Sequence, residues 1–256
     1  PKAQLLRILE DYPGGQLVSE AVQNAEDGGA SQFTLLLDLR HHAIEHQAIA
    51  GPAFVLIDNG RGFSEREWTS LRAVNKSEKR SSPSEIGAFG MGSRSYFHYS
   101  DVTLVASRGQ YGGIDPLKVL PGRHGGWHVS LSEGEIRAEA DVLFSPTVAG
   151  LCEGFDRMQR GALIRLPLRR EQDVLREQEQ SDDGQPLAPE ITVARAEELF
   201  AQWAESAPRL LLFLTSMRRV SFYRWRSGAA QPELVADTNK KYLRGGPRPR
   251  LPPSLP

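Results

Sequence analysis

A chain of 256 residues, 39% hydrophobic and 25% charged, can bury one substantial α/β core or two small ones, and one large domain fits better. A formal net charge of −1 argues against a nucleic-acid surface, which needs clustered excess Lys and Arg to neutralise phosphates. The longest purely apolar run, Leu210 to Leu214, is far too short to span a bilayer, and the single Cys152 excludes an internal disulfide and fits a reducing, cytoplasmic setting with no signal-type N-terminus.

Residues Ala3 to Glu10 place Leu5, Leu6 and Leu9 on one face of a short helix stopped by Pro13, Gly14 and Gly15. A second helix runs from about Leu17 to Asp27 and ends on Gly28 and Gly29, residues suited to a left-handed C-terminus. The apolar runs "QFTLLLDL" from Gln32 and "AFVLIDN" from Ala53 predict buried strands. Ser64 and Glu67 form a capping box for a helix reaching Arg72. Periodicity then disappears: residues 74–92 are polar and glycine-rich, contain Pro83, and predict a mobile lid that nucleotide would order. A helix follows in "SRSYFHY", then strands in "DVTLVAS", "GWHVSL" and "GALIRLPL". The polar segment 171–190 predicts an exposed excursion, Thr192 to Ser206 a helix, and "RRVSFYRW" an edge strand guarded by charge. Helices on one face of a mixed sheet follow from this order, with residues 1–245 as one domain. The start at Pro1 and the Pro-rich end at 246–256 read as a linker and a piece of a longer protein.

Within the second helix Glu20, Asn24 and Asp27 fall at i, i+4 and i+7 and share a polar stripe opposite Leu17, Val18, Ala21, Val22 and Ala25. A solvated helix face accounts for that stripe taken alone. In "DNGRGF" Asp58 stands at the end of a buried strand, and Gly60 and Gly62 let a flat ligand approach the backbone; a glycine-rich turn is the plainer alternative. "GAFGMGS", Gly87 to Ser93, has the G-x-x-G-x-G form before a helix whose free N–H groups favour phosphate, but no strand immediately precedes it as a Rossmann site requires.

In this order the three motifs resemble the GHKL, or Bergerat-fold, ATPases. That resemblance implies a two-layer α/β sandwich holding ATP or ADP with Mg2+ under a lid. It implies that Glu20 orients and deprotonates the attacking water, that Asn24 ligates Mg2+, and that Asp58 accepts from the adenine amino group. It further implies nucleotide contacts from Asn24, Asp27, Gly60, Gly62, Phe63, Gly87, Phe89, Gly90, Met91, Gly92, Ser93 and Ala162. Histidine kinases of the fold usually carry an amide where this chain has Glu20, which disfavours a kinase. The stretches "LLRILEDYPGGQLVSEAVQNAEDGGA", "SEKRSSPSEIGAFGMGSRSYFHYSD", "GALIRLPLR" and "APRLLLFLTSMRRVSFY" narrow the resemblance to the sacsin family of very large chaperone-like proteins. It implies a nucleotide-regulated module, hydrolysing slowly at best and acting on neighbouring domains, with other chaperones or unfolded clients as partners and neither nucleic acid nor membrane. Two departures stand out: Ala162 replaces the usual Thr, removing one hydrogen bond worth roughly 0.5–1.5 kcal/mol, and Ser93 and Arg94 replace the more usual bulky residue after the last glycine. The alternative is a scaffold that keeps the fold and holds no nucleotide.

Other residues carry weaker signals. His41, His42 and His46 read as a solvated loop rather than a metal cluster, and His124 and His128 are not fixed together by any helix. Lys76, Lys79 and Arg80 fall in the lid, and Cys152 reads as inert.

Overall fold

The computed structural model describes residues 16–73, 91–123, 125–132, 134–179 and 188–240. Eight strands form one mixed sheet: β1 (Gln32–Asp38), β2 (Ala53–Asp58), β3 (Thr103–Ser107), β4 (Gln110–Asp115), β5 (Gly125–Ser130), β6 (Ala162–Pro167), β7 (Arg219–Trp225) and β8 (Glu233–Asn239). Their spatial order is β5-β4-β3-β6-β2-β1-β7-β8. Every neighbouring pair is antiparallel except β1 with β7.

β1 and β2 are central and covered on both faces, which is why they read as unbroken apolar runs. Phe33, Leu35, Leu37, Phe54 and Leu56 face one layer, built by α1 (Leu17–Asp27) and by the 19-residue helix Val193–Leu211. Phe54 there meets Trp203 and Tyr99 edge-on, at ring-centroid distances of 5.0 and 5.8 Å. Leu36, Val55, Ile57 and Leu163 face the other way. That second face is not left to solvent: Ala140, Leu143, Phe144, Val148 and Cys152, from the helix Gly134–Leu143 and the turn after it, close over it. In chain order after α1 the helices are α2 (Gln47–Ala50), α3 (Glu65–Ala73), α4 (Gly134–Leu143), α5 (Pro146–Ala149), α6 (Glu171–Glu179) and α7 (Val193–Leu211), with a 3-10 helix at Met91–His98. The Ser64 N–H donates to Glu67 Oε2 at 2.7 Å and the Glu67 N–H to Ser64 Oγ at 3.3 Å, so the predicted capping box forms at the start of α3.

Several elements differ from the sequence reading. α7 runs on to Leu211 through Pro208, because Ala207 and Leu211 continue its buried face. β7 is interior, paired with β1 and β8, and β8 is the edge; its residues "ELVADTN" bury too little to show alternation. Residues 171–179 of the expected exposed excursion are only partly exposed, at Glu171, Gln172, Leu175 and Glu179. They form α6, whose Asp173 and Glu177 are buried beside Arg169, with Arg169 2.7 Å from Asp101 and 3.3 Å from Glu177. His42 is not solvated either: its ring lies 2.9 Å from the buried Asp38, which Arg40 and Arg165 also reach. Those hydrogen bonds and charges hold the Asp38 carboxyl well below its usual range despite the opposing push of burial. The helix predicted at Ala3 to Glu10, residues 74–90 of the predicted lid, His124 and the Pro-rich end lie outside the described residues.

Candidate functional site

α1 enters the core through Leu17, Val18, Ala21, Val22 and Ala25, which turns its opposite stripe toward the ends of β2 and β6. The helix closes with Gly28 in ordinary helical conformation, and Gly29 alone takes the left-handed one, at φ 72°. Its end is anchored by a residue the sequence reading passed over. The Glu26 carboxylate accepts from the backbone N–H groups of Thr215, Ser216 and Met217 and from the Thr215 hydroxyl, at 2.6–2.7 Å. Against the upward push of desolvation, these donors together hold Glu26 down at about 2.

Between α1, the ends of β2 and β6, α3 and the 3-10 helix lies a cavity of about 190 Å3. It exceeds the ~150 Å3 apolar cavity that accepts benzene, so a flat heterocycle fits its scale. Ala21, Ala25, Phe33, Leu56, Ala162 and Ile164 supply apolar wall; Asn24, Asp27, Asp58, Arg61, Glu67 and Tyr96 supply polar groups. Asp58 is the carboxylate among them that is shifted upward. Burial pushes its carboxyl up to about 6, against the pull of the Gly60 and Ala162 N–H donors and the Arg160 and Arg61 charges. The Gly60 N–H lies 2.8 Å from Asp58 Oδ1.

The glycines after β2 serve the chain's own packing. A Cβ on Gly60 would lie 2.9 Å from Gly28 O, and one on Gly62, which has φ 72°, 2.7 Å from Ser107 Oγ. The Arg61 N–H donates to Gly28 O and the Gly161 N–H to Gly60 O, both at 2.9 Å, so this turn ties α1 to the start of β6. Asn59 completes the knot, its Oδ1 accepting from the N–H groups of Ser31 and Gln32. Arg61 is paired two-pronged with Glu67 at 2.7 and 2.8 Å.

Of the residues singled out from sequence, Asn24, Asp27, Asp58, Gly62, Phe63 and Ala162 converge on the cavity. Gly60 sits behind it, as hydrogen-bond donor to Asp58. Glu20 lies one helical turn before Asn24 and is not in the lining; its Oε2 is buried with no hydrogen-bond partner among the described residues. Met91, Gly92 and Ser93 begin the 3-10 helix, while Gly87, Phe89 and Gly90 lie outside the described residues. Sequence reasoning missed Arg61, Glu67 and Tyr96. Only the "DNGRGF" motif and the capping box flagged the first two, and nothing local flagged Tyr96. Among the described residues no three His, Cys, Asp or Glu side chains gather as a metal site, and no helix is long and apolar enough to cross a membrane.

The sequence profile of the Sacsin domain matches residues 2–237. Human Sacsin is 30% identical over 230 residues, which is 84% of this chain and 5% of that protein's length. Among solved structures, one titled "Crystal Structure of N terminal domain of a DNA repair protein" overlaps 92% of this chain and 56% of its own, at 10% identity and a TM-score of 0.48. The extent of the profile match, nearly the whole chain, decides the matter: this chain belongs to the Sacsin domain family.

Proposed function

We propose that this domain binds ATP or ADP with Mg2+ in the cavity between α1 and the β2–β6 end, as a nucleotide-responsive module of a larger chaperone-related protein. The observation that carries the reading is Asp58: a carboxylate that burial pushes up to about 6 despite the Gly60 and Ala162 N–H donors, on the lining of a ring-sized cavity, favours a further donor from a ligand. An exocyclic amino group is such a donor. The remaining groups fit a nucleotide's other end. Asn24 offers a side-chain oxygen from α1, and a site with one such ligand suits Mg2+, which keeps its waters and takes most of its shell from phosphates. Glu20, one turn before Asn24 and with its Oε2 unpartnered among the described residues, is the residue assigned in this reading to take a proton from a water beside Asn24.

Calorimetry with MgADP and MgATP tests the reading. Dissociation constants in the micromolar to millimolar range are expected, about −4 to −8 kcal/mol, with loss of binding in Asp58→Asn. No heat at millimolar nucleotide from folded protein refutes it. The second reading, a scaffold of the same fold without nucleotide, draws on Ala162, which brings no hydroxyl to the cavity and contributes only its backbone N–H, to Asp58. Turnover, where it occurs, is expected to be slow, because among the described residues the cation lining the cavity, Arg61, is paired with Glu67.

A further inference from the structure

The apolar run Leu210–Leu214 divides in the fold. Leu211 is buried and Leu210 and Leu214 pack partly against the same core, but Leu212 and Phe213 stand outside it, 74% and 86% exposed, the most exposed large apolar side chains among the described residues. Fraying does not account for them, because the turn they open is pinned from three sides. Glu26 of α1 accepts from the N–H groups of Thr215, Ser216 and Met217. Ser31 O accepts from those of Arg218 and Arg219, at 2.8 and 3.2 Å, and Lys240 donates its N–H to Arg218 O and its Nζ to Leu214 O. A large aromatic side chain held in water above a backbone ordered in advance has the make-up of a binding anchor.

The charges around the pair are of one sign. Arg209 lies one helical turn before it, its carbonyl accepting from the Leu212 N–H at 3.3 Å; Arg218 closes the turn, and the Lys240 ammonium reaches Leu214. Arg209 and Arg218 are exposed and make no ion pair among the described residues, while the carboxylate that does reach the turn, Glu26, is taken up by backbone donors. We propose that the Leu212–Phe213 turn is a docking surface for a polypeptide segment whose large apolar side chains are flanked by carboxylates. The apolar side chains cover Leu212 and Phe213, and the carboxylates meet Arg209 and Arg218. Two apolar side chains are too few to anchor a protein stably in a bilayer, so the cationic rim favours an acidic polypeptide over an anionic membrane. The surface also bears on the cavity. Glu26 sits between Ala25 and Asp27, both in the cavity lining, so the two places share the last turn of α1.

A fluorescein-labelled peptide with Leu-Phe pairs set between glutamates is the probe, and the same peptide with lysines in place of the glutamates is its control. By fluorescence anisotropy at low salt the acidic peptide should bind the full chain with a dissociation constant on the order of 100 μM, and added salt should weaken it. Phe213→Ser should weaken binding about tenfold, and Arg209→Glu combined with Arg218→Glu about fivefold. All three positions are exposed, so melting temperatures should stay within about 2 °C of wild type. If Phe213→Ser falls outside that limit, Leu212→Ser takes its place with the same expected loss. Absence of binding at millimolar acidic peptide overturns the proposal, as does equal affinity for the two peptides. Affinity unchanged by the serine variant overturns it too. Binding to vesicles of anionic lipid without binding to the peptide overturns it in favour of a membrane, and self-association abolished by Phe213→Ser without peptide binding overturns it in favour of a second copy of the chain.

Discussion

Asp58→Asn should make the unliganded domain more stable while removing its affinity for nucleotide. Burial raises the Asp58 carboxyl to about 6 from an ordinary 3.8, a gap equivalent to about 3 kcal/mol against the charged form. The sign follows from proton binding. Between pH 3.8 and 6 the folded state holds the Asp58 proton that the unfolded state has released, so this group's contribution to stability rises as pH falls through that window. Above pH 6 the whole cost is present. An Asn carries no charge and avoids it, but keeps one acceptor where the carboxylate has two for the Gly60 and Ala162 N–H donors, a loss of roughly 0.5–1.5 kcal/mol. The net gain at pH 7.5 is about 2 kcal/mol, less where solvent reaches the carboxylate, and corresponds to a rise of roughly 4–8 °C in melting temperature for a domain of this size. At pH 4 the gain should vanish. Urea denaturation of both proteins at pH 7.5 and pH 4, beside calorimetry with MgADP, measures every part of this. A variant that is no more stable at pH 7.5, or that gains equally at both pH values, refutes the argument that Asp58 is held charged at a cost for the sake of a ligand.

Other expectations follow from single contacts. Ala162→Thr restores a hydroxyl beside Asp58 and should tighten ADP binding by roughly 0.5–1.5 kcal/mol, about two- to tenfold by calorimetry. Glu26→Ala strips acceptors from the Thr215, Ser216 and Met217 N–H groups and should cost about 1–2 kcal/mol in urea denaturation. Because Glu26 is depressed to about 2, its contribution should be complete above pH 4.5 and fade as pH falls toward 2, so wild type and variant should converge in acid. Glu20→Ala should abolish any ATP turnover at matched nucleotide occupancy while leaving MgADP affinity within a few fold; equal turnover in both proteins would remove Glu20 as the base.

What the sequence made legible was whatever is written in local pattern. β1 and β2 announce themselves because both faces are buried, α1 because its apolar residues recur on one side, and α3 because Ser64 and Glu67 cap it in plain order. Asp58 and Asn24 converge as their motifs suggest. The rest depends on partners distant in the chain. Asp173 and Glu177 look like solvated acids until Arg169 and Asp101 are brought beside them, and Glu26 looks like one more surface charge until the turn after α7 presents its N–H groups. Pro208 signals a helix end by its chemistry, yet the buried side chains of Ala207 and Leu211 outweigh it. Tyr96 could pass for core alone: it is buried in the core cluster and lines the cavity as well.

The register across the sheet sets how the cavity can respond to anything that enters it. Ala162, Asp58, Phe33, Val220 and Thr238 lie opposite one another in a single row across five neighbouring strands. Three of the five, Ala162, Asp58 and Phe33, form one wall of the cavity. Displacing Asp58 means breaking strand pairing on both its sides, at the last rung of β2. That wall behaves as a fixed datum on the timescale of ligand exchange. Slow amide exchange through β2, the same with and without nucleotide, would be its signature, and adaptation to a ligand is left to α1 and the 3-10 helix on the other side.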